Sequence, residues 1–296
     1  MTEKMRPEDR VTAAILNQLE TGVRPWTQPW AGGGGITMPV RVTGEPYRGV
    51  NVVMLWIRSV SAGFRGDRWM TYNQAKALDA QVRKGETGTY IVKYGQTPIE
   101  SDDGDERFRP FLRGYTVFNT DQIDGLPAAL ATPPQPAVST HPDLAWDAAL
   151  EDALGRTGAD ISWTGTSAYY SPKPDHIRMP ARELFRDTEQ AYSTLLHELV
   201  HWTGHESRLN RDFRTAREAY AREELVAELG AAFLGAHLGF RPDHIEDHAG
   251  YLDHWIKVLR SDSRAILQAA SKAQAACDHI LQLVAGRSET GAAAAA

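Results

Sequence analysis

The sequence predicts an α+β fold arranged in two domains. The chain has 296 residues, and at about 150 residues per domain this length suggests two domains that each bury a core. Helical periodicity and β-rich runs occur in both halves. Between them, residues 127–143 are rich in Pro, Ala, Ser and Thr, which is typical of a linker. We therefore predict domains at 1–126 and 144–285, followed by a disordered tail at 286–296.

The N-terminal domain is predicted to begin with helices. Residues 8–21 place apolar side chains on one helical face. The apolar run 49–63 fits either a buried helix or a strand, and its length favours the helix. Thr71 can cap a third helix, with Leu78 and Val82 on its inward face.

A β-hairpin is predicted to complete this domain. Residues 89–95 and 108–123 are rich in β-branched and aromatic residues, and the acidic loop SDDGDE lies between them. Helices together with this hairpin make the N-terminal domain α+β.

The C-terminal domain is predicted to be mainly helical with a small sheet. A short helix at 144–154 precedes a pair of strands, at 161–165 and 167–180, whose prolines are typical of an edge strand. Apolar periodicity then predicts three longer helices, at 187–202, 218–238 and 246–284, the last of them broken near Ser261.

Composition limits the class of protein. Nowhere do about 18 apolar residues run uninterrupted, and the charged start MTEKMRPEDR lacks the apolar stretch of an export signal. The single cysteine, Cys277, excludes an intramolecular disulfide and a cysteine-based zinc cage, which favours a reducing compartment. We therefore expect a soluble, cytoplasmic protein with no membrane partner. Any zinc must be held by histidines and carboxylates.

The most specific motif is HExxH, formed by His197, Glu198 and His201 within the helix predicted at 187–202. On a helix, the two histidines lie one turn apart, so both imidazoles can reach one zinc ion while Glu198 faces the bound water. The alternative is a surface helix that carries two histidines and no metal. Apolar residues on both sides of the motif favour the metal site, because such a helix must be buried.

A third ligand must come from another element. The metzincin pattern fails because position 207 is serine, and His205 would lie about 12 Å from His197 along a continuing helix. The next helix offers Glu224 and Glu228, which share a face and would repel each other unless a positive charge lies nearby. A solvated charged helix is the alternative. The spacing alone leaves open which glutamate binds.

The ELVAE sequence at residues 224–228 resembles the second helix of the Glu-zincin metallopeptidases. That resemblance implies Glu224 as the third ligand and Glu228 as the acceptor of a hydrogen bond from a ligand histidine. The roles could be reversed, because the family usually has Asp at the second place. Three protein ligands leave a position for water, the catalytic pattern. Glu198 would accept the proton of that water and pass it to a leaving amine, which predicts peptide hydrolysis.

Substrate-binding residues are less specific in the sequence. An edge strand within residues 169–180 could pair with an extended peptide substrate. Several side chains are candidates for stabilising an oxyanion, although a tyrosine in a core is the commoner situation. These candidates are Tyr192, Tyr220, Tyr251 and His254, and the sequence does not decide between them.

The N-terminal domain is predicted to bind single-stranded DNA although the chain as a whole is acidic. The net charge is −6, but basic residues outnumber acidic ones between positions 41 and 93. Basic side chains interleaved with aromatic ones suit a surface that contacts phosphates and stacks unpaired bases. The alternative places most of the aromatic rings in the core. The predicted DNA contacts are Arg41, Arg48, Arg58, Arg65, Arg68, Lys76, Arg83, Lys84, Lys93, Trp56, Trp69 and Tyr72.

Four sequence blocks that span both domains point to one family. They are PYRGVNVVMLW (46–56), RWMTYNQAKALDAQVRKGETGTYIVKYG (68–95), HELVHWTGHESRLNR (197–211) and EELVAELGAAFLGA (223–236). In this order they closely resemble the ArdC-type antirestriction proteins of conjugative plasmids. The resemblance implies a domain that binds single-stranded DNA joined to a zinc metallopeptidase-like domain, which act to protect incoming plasmid DNA from host restriction.

Two alternatives stay open at the level of sequence. The chain could be a non-catalytic single-strand DNA-binding protein whose zinc is structural. It could also be a peptidase with no nucleic-acid role, whose N-terminal domain recognises protein. An open coordination position would argue against the first alternative, and salt-sensitive oligonucleotide binding would argue against the second.

Overall fold

Helices and short strands are mixed in both parts of the chain, which confirms the predicted α+β class. The computed structural model describes residues 5–27, 37–99, 107–131, 146–211, 217–239 and 249–286. Most of the predicted linker, and all but one residue of the predicted tail, lie outside these ranges. None of the helices among the described residues is long and apolar enough to cross a membrane.

The contacts divide the chain into two units. The N-terminal unit comprises Met1–Pro25, Thr37–Pro136 and Leu259–Leu267, and the C-terminal unit comprises Trp26–Ile36, Ala137–Val258 and Gln268–Ala296. Each unit therefore includes short segments that are distant in sequence. In the N-terminal unit, for example, the Thr12 hydroxyl donates a 2.7 Å hydrogen bond to the Ser263 carbonyl.

Six strands, four short and two long, lie among the described residues of the N-terminal unit. They are β1 (Val40–Arg41), β2 (Arg68–Met70), β3 (Gln81–Val82), β4 (Thr89–Ile99), β5 (Arg107–Asn119) and β6 (Ile123–Asp124). One sheet has the order β1-β2-β5-β4, and β3 and β6 form a separate pair. Strands β4 and β5 pair antiparallel from Thr89 opposite Val117 to Ile99 opposite Arg107, which confirms the predicted hairpin.

The ambiguous run at 49–63 is a helix. The helices of this unit begin with α1 (Pro7–Glu20), α2 (Val50–Ala62) and α3 (Tyr72–Ala77). In α2, consecutive apolar side chains such as Val52 and Val53 are 0% exposed, so the helix is buried on most sides. Gly63 ends it with a left-handed φ of 66°, a conformation that glycine adopts without steric cost.

Helix α3 is shorter than predicted. Thr71 caps it as expected, since its hydroxyl accepts a hydrogen bond from the Gln74 amide. The helix nevertheless ends at Ala77, and Asp79 has a left-handed φ of 55° that interrupts the helical path. Val82, predicted on the inward face of the helix, is buried in β3 instead. No glycine in the sequence marks this turn, which explains the wrong prediction.

Three strands, rather than the predicted pair, form the sheet of the C-terminal unit. They are β7 (Asp160–Gly165), β8 (Tyr169–Ser171) and β9 (His176–Pro180), in the order β7-β9-β8. Strand β9 pairs parallel with β7 and antiparallel with β8. The run predicted as one edge strand therefore contains an edge strand and the central strand. Pro180 is tolerated in β9 because it is the last residue of the strand.

The remaining helices position the candidate site. They are α4 (Ala148–Gly155), α5 (Thr188–Thr203), α6 (Arg217–Leu238), α7 (Ala249–Ser261) and α8 (Ala265–Val284). Asp187 caps α5 by accepting a hydrogen bond from the Gln190 amide. A side chain at Gly230 of α6 would meet Val200 of α5 at 2.7 Å, so this glycine permits the two helices to pack closely.

Candidate functional site

The two histidines of the HExxH motif lie one turn apart in the C-terminal half of α5. His197 and His201 are 1% and 8% exposed, respectively. Their Nε2 atoms lie 3.2 Å apart. Burial excludes the alternative of a surface helix, and the flanking Leu195, Leu196, Leu199 and Val200 are buried as predicted.

Glu224 of α6 completes a cluster with these histidines. Its carboxylate is buried, with Oε2 at 3.5 Å from His197 Nε2 and Oε1 at 3.5 Å from His201 Nε2. In a tetrahedral zinc site with bonds of about 2.0–2.1 Å, neighbouring ligand atoms lie about 3.4 Å apart. The 3.2 Å between the two imidazole nitrogens fits that spacing, and each nitrogen lies 3.5 Å from a different oxygen of the Glu224 carboxylate. His197, His201 and Glu224 could therefore hold one metal ion.

Glu228, the other glutamate of the predicted pair, contacts a different residue. Its Oε2 accepts a 2.9 Å hydrogen bond from Trp26 Nε1, and both residues are 0% exposed. Among the described residues, the group of possible ligands that lie within 4.8 Å of one another comprises His197, His201 and Glu224, without Glu228. The choice that the spacing left open therefore narrows to Glu224.

Glu223 occupies the supporting place that was expected for Glu228. Its carboxylate lies 3.2 Å from His201 Nδ1, the ring nitrogen that faces away from the cluster. Arg211 holds the same carboxylate through Nε and Nη2, at 3.1 and 2.8 Å, and also donates to Thr203. A carboxylate in this position fixes the tautomer and orientation of a ligand imidazole. In the sequence, Glu223 directly precedes Glu224, but no sequence pattern linked Glu223 to Arg211.

The carboxylates set the charge state of the cluster. Burial alone would lower the pKa of His201, but the charges of Glu224 and Glu223 outweigh burial and raise it well above the ordinary value. Burial likewise opposes ionisation of Glu224, yet the two histidines hold its pKa far below the usual range. The cluster therefore contains ionised carboxylates next to a positively charged imidazole. A bound cation would balance the carboxylate charge in the same way.

Two further side chains could take part in chemistry at the cluster. Glu198 is 2% exposed and directly follows His197 in α5. Tyr220 lies one helical turn before Glu224 in α6 and is 47% exposed, and its hydroxyl hydrogen-bonds with Glu224 and Tyr251. Burial and the Glu224 charge raise the pKa of Tyr220, so it remains a hydrogen-bond donor.

Two of the other candidate tyrosines are less well placed to stabilise an oxyanion. Tyr192 is buried, and its hydroxyl accepts a 3.0 Å hydrogen bond from the Asp147 amide. Tyr251 packs against Tyr220, with ring centroids 5.9 Å apart. The fourth candidate, His254, lies in α7 together with Tyr251. Among the three tyrosines, Tyr220 is therefore the one that combines a contact with Glu224 and solvent access.

Most of the predicted DNA contacts lie at the surface of the N-terminal unit. Arg58 and Arg68 are half-buried. Arg41 and Arg83 are exposed but form ion pairs with Glu45 at 3.0 Å and Glu86 at 2.9 Å. The other exposed residues of the predicted set are Arg48, Arg65, Lys76, Lys84, Lys93 and Tyr72.

Two predicted aromatic contacts are wrong. Trp56 and Trp69 are only 2% and 1% exposed, and Trp56 Nε1 donates a 3.0 Å hydrogen bond to the Thr37 carbonyl. A nucleic-acid base cannot stack on a ring that the core already covers. Both tryptophans therefore belong to the core, as the alternative interpretation of the aromatic residues proposed.

Comparison with known proteins covers both units. Residues 6–118 match the family model described as the N-terminal domain of anti-restriction factor ArdC, and residues 148–272 match a zincin-like metallopeptidase model. The metal-free crystal structure of the antirestriction protein ArdC from plasmid R388 is 43% identical, with a TM-score of 0.82 over 94% of this chain and 97% of that chain. The chain belongs to the ArdC antirestriction family.

Further relatives extend this family assignment. The Mn(II)-bound structure of the R388 ArdC is 42% identical, with a TM-score of 0.82 over 95% of this chain and 99% of that one. An uncharacterized protein of Sinorhizobium fredii, y4eC, is 42% identical over 97% of this chain and 95% of its own length. The DNA primase TraC of Escherichia coli is 37% identical, but the match spans 94% of this chain and only 20% of TraC.

Proposed function

We propose that this ArdC family member binds single-stranded DNA through its N-terminal unit and hydrolyses peptide bonds in its C-terminal unit. The observation that carries the enzymatic half is the buried cluster of His197, His201 and Glu224 next to Glu198. Three ligands without a fourth among the described residues are the pattern of a catalytic rather than a structural zinc site. A DNA-associated protein is the proposed substrate, since both units belong to one chain.

One zinc ion is the proposed metal. Two imidazoles and one carboxylate form the donor set of many catalytic zinc sites, and the 3.2 Å between the two imidazole nitrogens suits tetrahedral coordination. When bound, zinc supplies a positive charge that polarises a substrate carbonyl and acidifies the attacking water. The R388 relative was crystallised with Mn(II), so zinc and manganese are the two metals to compare in metal analysis.

The proposed reaction divides its tasks between named side chains. Glu198 accepts a proton from the attacking water and delivers it to the leaving amine nitrogen, a role that requires a carboxylate beside the cluster. The Tyr220 hydroxyl donates a hydrogen bond to the negative oxygen that develops on the substrate carbonyl. Glu223, held by Arg211, keeps the His201 ring in place throughout.

The DNA-binding half rests on the exposed basic side chains of the N-terminal unit. Arg48, Arg65, Lys76, Lys84 and Lys93 provide positive charge on a chain whose net charge is −6. Attraction to phosphates must therefore be local to this unit. We place the protein in the cytoplasm, because its single cysteine cannot form an intramolecular disulfide.

The proposal is tested by metal-dependent proteolysis. The zinc-loaded full chain is incubated with a fluorescently labelled unfolded protein, with and without single-stranded DNA, and is compared with Glu198→Gln. We expect cleavage that a chelator abolishes and that Glu198→Gln lowers by about 10²- to 10⁴-fold, while metal content stays equal. Equal cleavage by the variant would contradict the role of Glu198. Absence of cleavage together with DNA binding would favour a non-catalytic protein with structural zinc.

A further inference from the structure

The hairpin of the N-terminal unit extends beyond its sheet as a two-stranded ribbon. Strand β2 pairs with β5 only at Phe118 and Asn119, and β4 pairs only with β5. The Asn51 side chain bonds both the amide and the carbonyl of Val92, which closes the free edge of β4 at that residue. Beyond it, from Lys93 opposite Arg113 outward, no third strand joins the ribbon among the described residues.

Two strands alone are marginally stable in water, so a ribbon that extends beyond its sheet needs an explanation. The amino-acid composition of the ribbon suggests that explanation. Strands β4 and β5 contain one lysine and three arginines and no acidic residue. Lys93 and Arg113 lie directly opposite each other, and Arg109 is four residues from Arg113, on the same face. Like charges placed opposite each other destabilise a sheet unless an anion lies against them.

No ion pair within the described residues neutralises these three side chains, and all three are exposed. Arg41 and Arg83 of the same unit differ from them, since they are paired with Glu45 and Glu86, respectively. Among the described residues, no acidic side chain therefore competes with an external anion for these three cations.

Aromatic rings lie between and beside these charges on the same face. Phe111 stands between Arg109 and Arg113 in sequence and lies against Gly95, where an added Cβ would meet its ring at 2.4 Å. The Arg113 guanidinium is 4.8 Å from the centroid of that ring. Tyr115, the next residue of this face, is 39% exposed. The face thus alternates cationic and aromatic groups.

We propose that this face, made of Lys93, Arg109, Phe111, Arg113 and Tyr115, is the surface on which the N-terminal unit binds a single nucleic-acid strand. The inference deepens the proposed function and rests on its DNA-binding half. Cations contact the phosphates, while Tyr115 and the Arg113–Phe111 stack receive unpaired bases.

Two other modes of binding fit the ribbon less well. A basic two-stranded ribbon also fits the major groove of a duplex, but bases within a duplex are not available to stack on aromatic rings. The opposite face of the ribbon exposes Tyr94 and Phe108, at 65% and 51%, but has no basic side chain to contact phosphates. The basic face therefore suits a single strand better.

The test measures binding of the full chain to a labelled mixed-sequence oligonucleotide by fluorescence anisotropy across a salt series. The ribbon variant is Arg109→Gln with Arg113→Gln. The matched control is Arg6→Gln with Arg260→Gln, two arginines of the same unit that are both 63% exposed and are held by Asp9 and Glu20 at 2.8 Å. Both double variants remove two positive charges, so a nonspecific charge effect would appear equally in both.

For the ribbon variant we expect the slope of log K against log salt to fall by about 1.4, which is about 0.7 per phosphate contact and on the order of 20-fold in affinity at 0.1 M salt. The control should stay within about twofold of the unmodified protein. Tyr115→Leu should weaken binding at high salt, where stacking rather than charge remains. Thermal unfolding curves of all variants should coincide with that of the unmodified chain.

The outcomes separate the two levels of the proposal. If the unmodified chain binds no single strand, the DNA-binding half of the proposed function is wrong. If it binds, but the ribbon variant equals the control, the ribbon is not the binding surface. If duplex and single strand bind equally and both lose affinity in the ribbon variant, the ribbon is the surface but the single-strand preference is wrong.

Discussion

The two units hold their candidate functional residues in opposite ways. In the C-terminal unit, His197, His201 and Glu224 are at most 8% exposed, and their ligand atoms lie within 4.8 Å of one another. In the N-terminal unit, residues such as Lys76 and Lys93 are exposed and lie on different elements. A metal ion requires fixed donor geometry, whereas a nucleic-acid backbone requires only charge along a surface. The spacing of residues in the sequence can therefore predict a site whose side chains converge on one point. A surface whose charged residues lie on several elements can be predicted only from composition.

The largest effect predicted by this comparison is the loss of metal binding in His197→Ala. Because the site is convergent, loss of one imidazole should abolish stable metal binding, and metal analysis of the purified variant should find no bound zinc. His205→Ala is the matched control, because His205 follows the motif but lies outside the cluster. Full zinc occupancy in His197→Ala would show that the cluster is not the metal site.

Within the N-terminal unit, Trp69→Ala separates the core from the surface. Trp69 is 1% exposed, so its removal should lower the free energy of unfolding by about 3–5 kcal/mol, as other large-to-small core changes do. Tyr72→Ala is the comparison, since Tyr72 is 46% exposed and should cost less than about 1 kcal/mol. Denaturant unfolding measures both. A small effect of Trp69→Ala on the free energy of unfolding would indicate that this ring lies at the surface.

Glu223→Gln tests how strongly the convergent site depends on its support. The variant keeps the shape of the side chain but loses the charge that faces His201 and Arg211. We expect metal affinity to fall by about 10- to 100-fold, measured by competition with a chelator. Glu218→Gln, an exposed position on the same helix, should leave the affinity unchanged. Equal affinities for the two variants would show that Glu223 does not position His201.

The smallest predicted effect concerns a charge pair of the C-terminal unit away from the cluster. Arg208 forms an ion pair with Asp175, and this contact holds the pKa of Asp175 below its ordinary value. A lowered pKa stabilises the folded state above the unfolded value of about 3.9, and that stability is lost as the pH falls through the folded-state pKa. Asp175→Asn should therefore cost about 1 kcal/mol or less at pH 7.

The pH dependence of that effect is the check. The free energies of unfolding of the unmodified chain and of Asp175→Asn should differ at pH 7, and the difference should shrink below about pH 4 and disappear below the lowered folded-state pKa of Asp175, because protonation removes the same charge that the substitution removes. A difference that persists unchanged at low pH would assign the effect to shape rather than charge. Asparagine tolerates the left-handed φ of 51° at this position, so backbone strain does not confuse the comparison.

Local sequence patterns predicted most of the helices and the approach of the two HExxH histidines to each other. The HExxH spacing depends only on helical geometry, and the apolar flanks of His197 placed its helix in the core. The length of the run at 49–63 decided correctly between helix and strand. These features are determined by residues that lie within one or two turns of each other.

Features that depend on tertiary contacts were not predictable. Trp56 and Trp69 have the composition of a stacking surface, and only the fold shows that the core covers them. The support of His201 by Glu223 requires Arg211, which lies on another segment. The choice between Glu224 and Glu228 depends on how α6 packs on α5, where Glu224 faces the histidines and Glu228 contacts Trp26.

The most direct test of the central claim is a crystal structure of the zinc-loaded protein with anomalous scattering recorded at the zinc edge. The proposed metallopeptidase predicts one zinc ion bound by His197, His201 and Glu224, with a water in the fourth position beside Glu198. A fourth protein ligand in place of that water, or an ion bound elsewhere with these three side chains unoccupied, would contradict a catalytic zinc site in this chain.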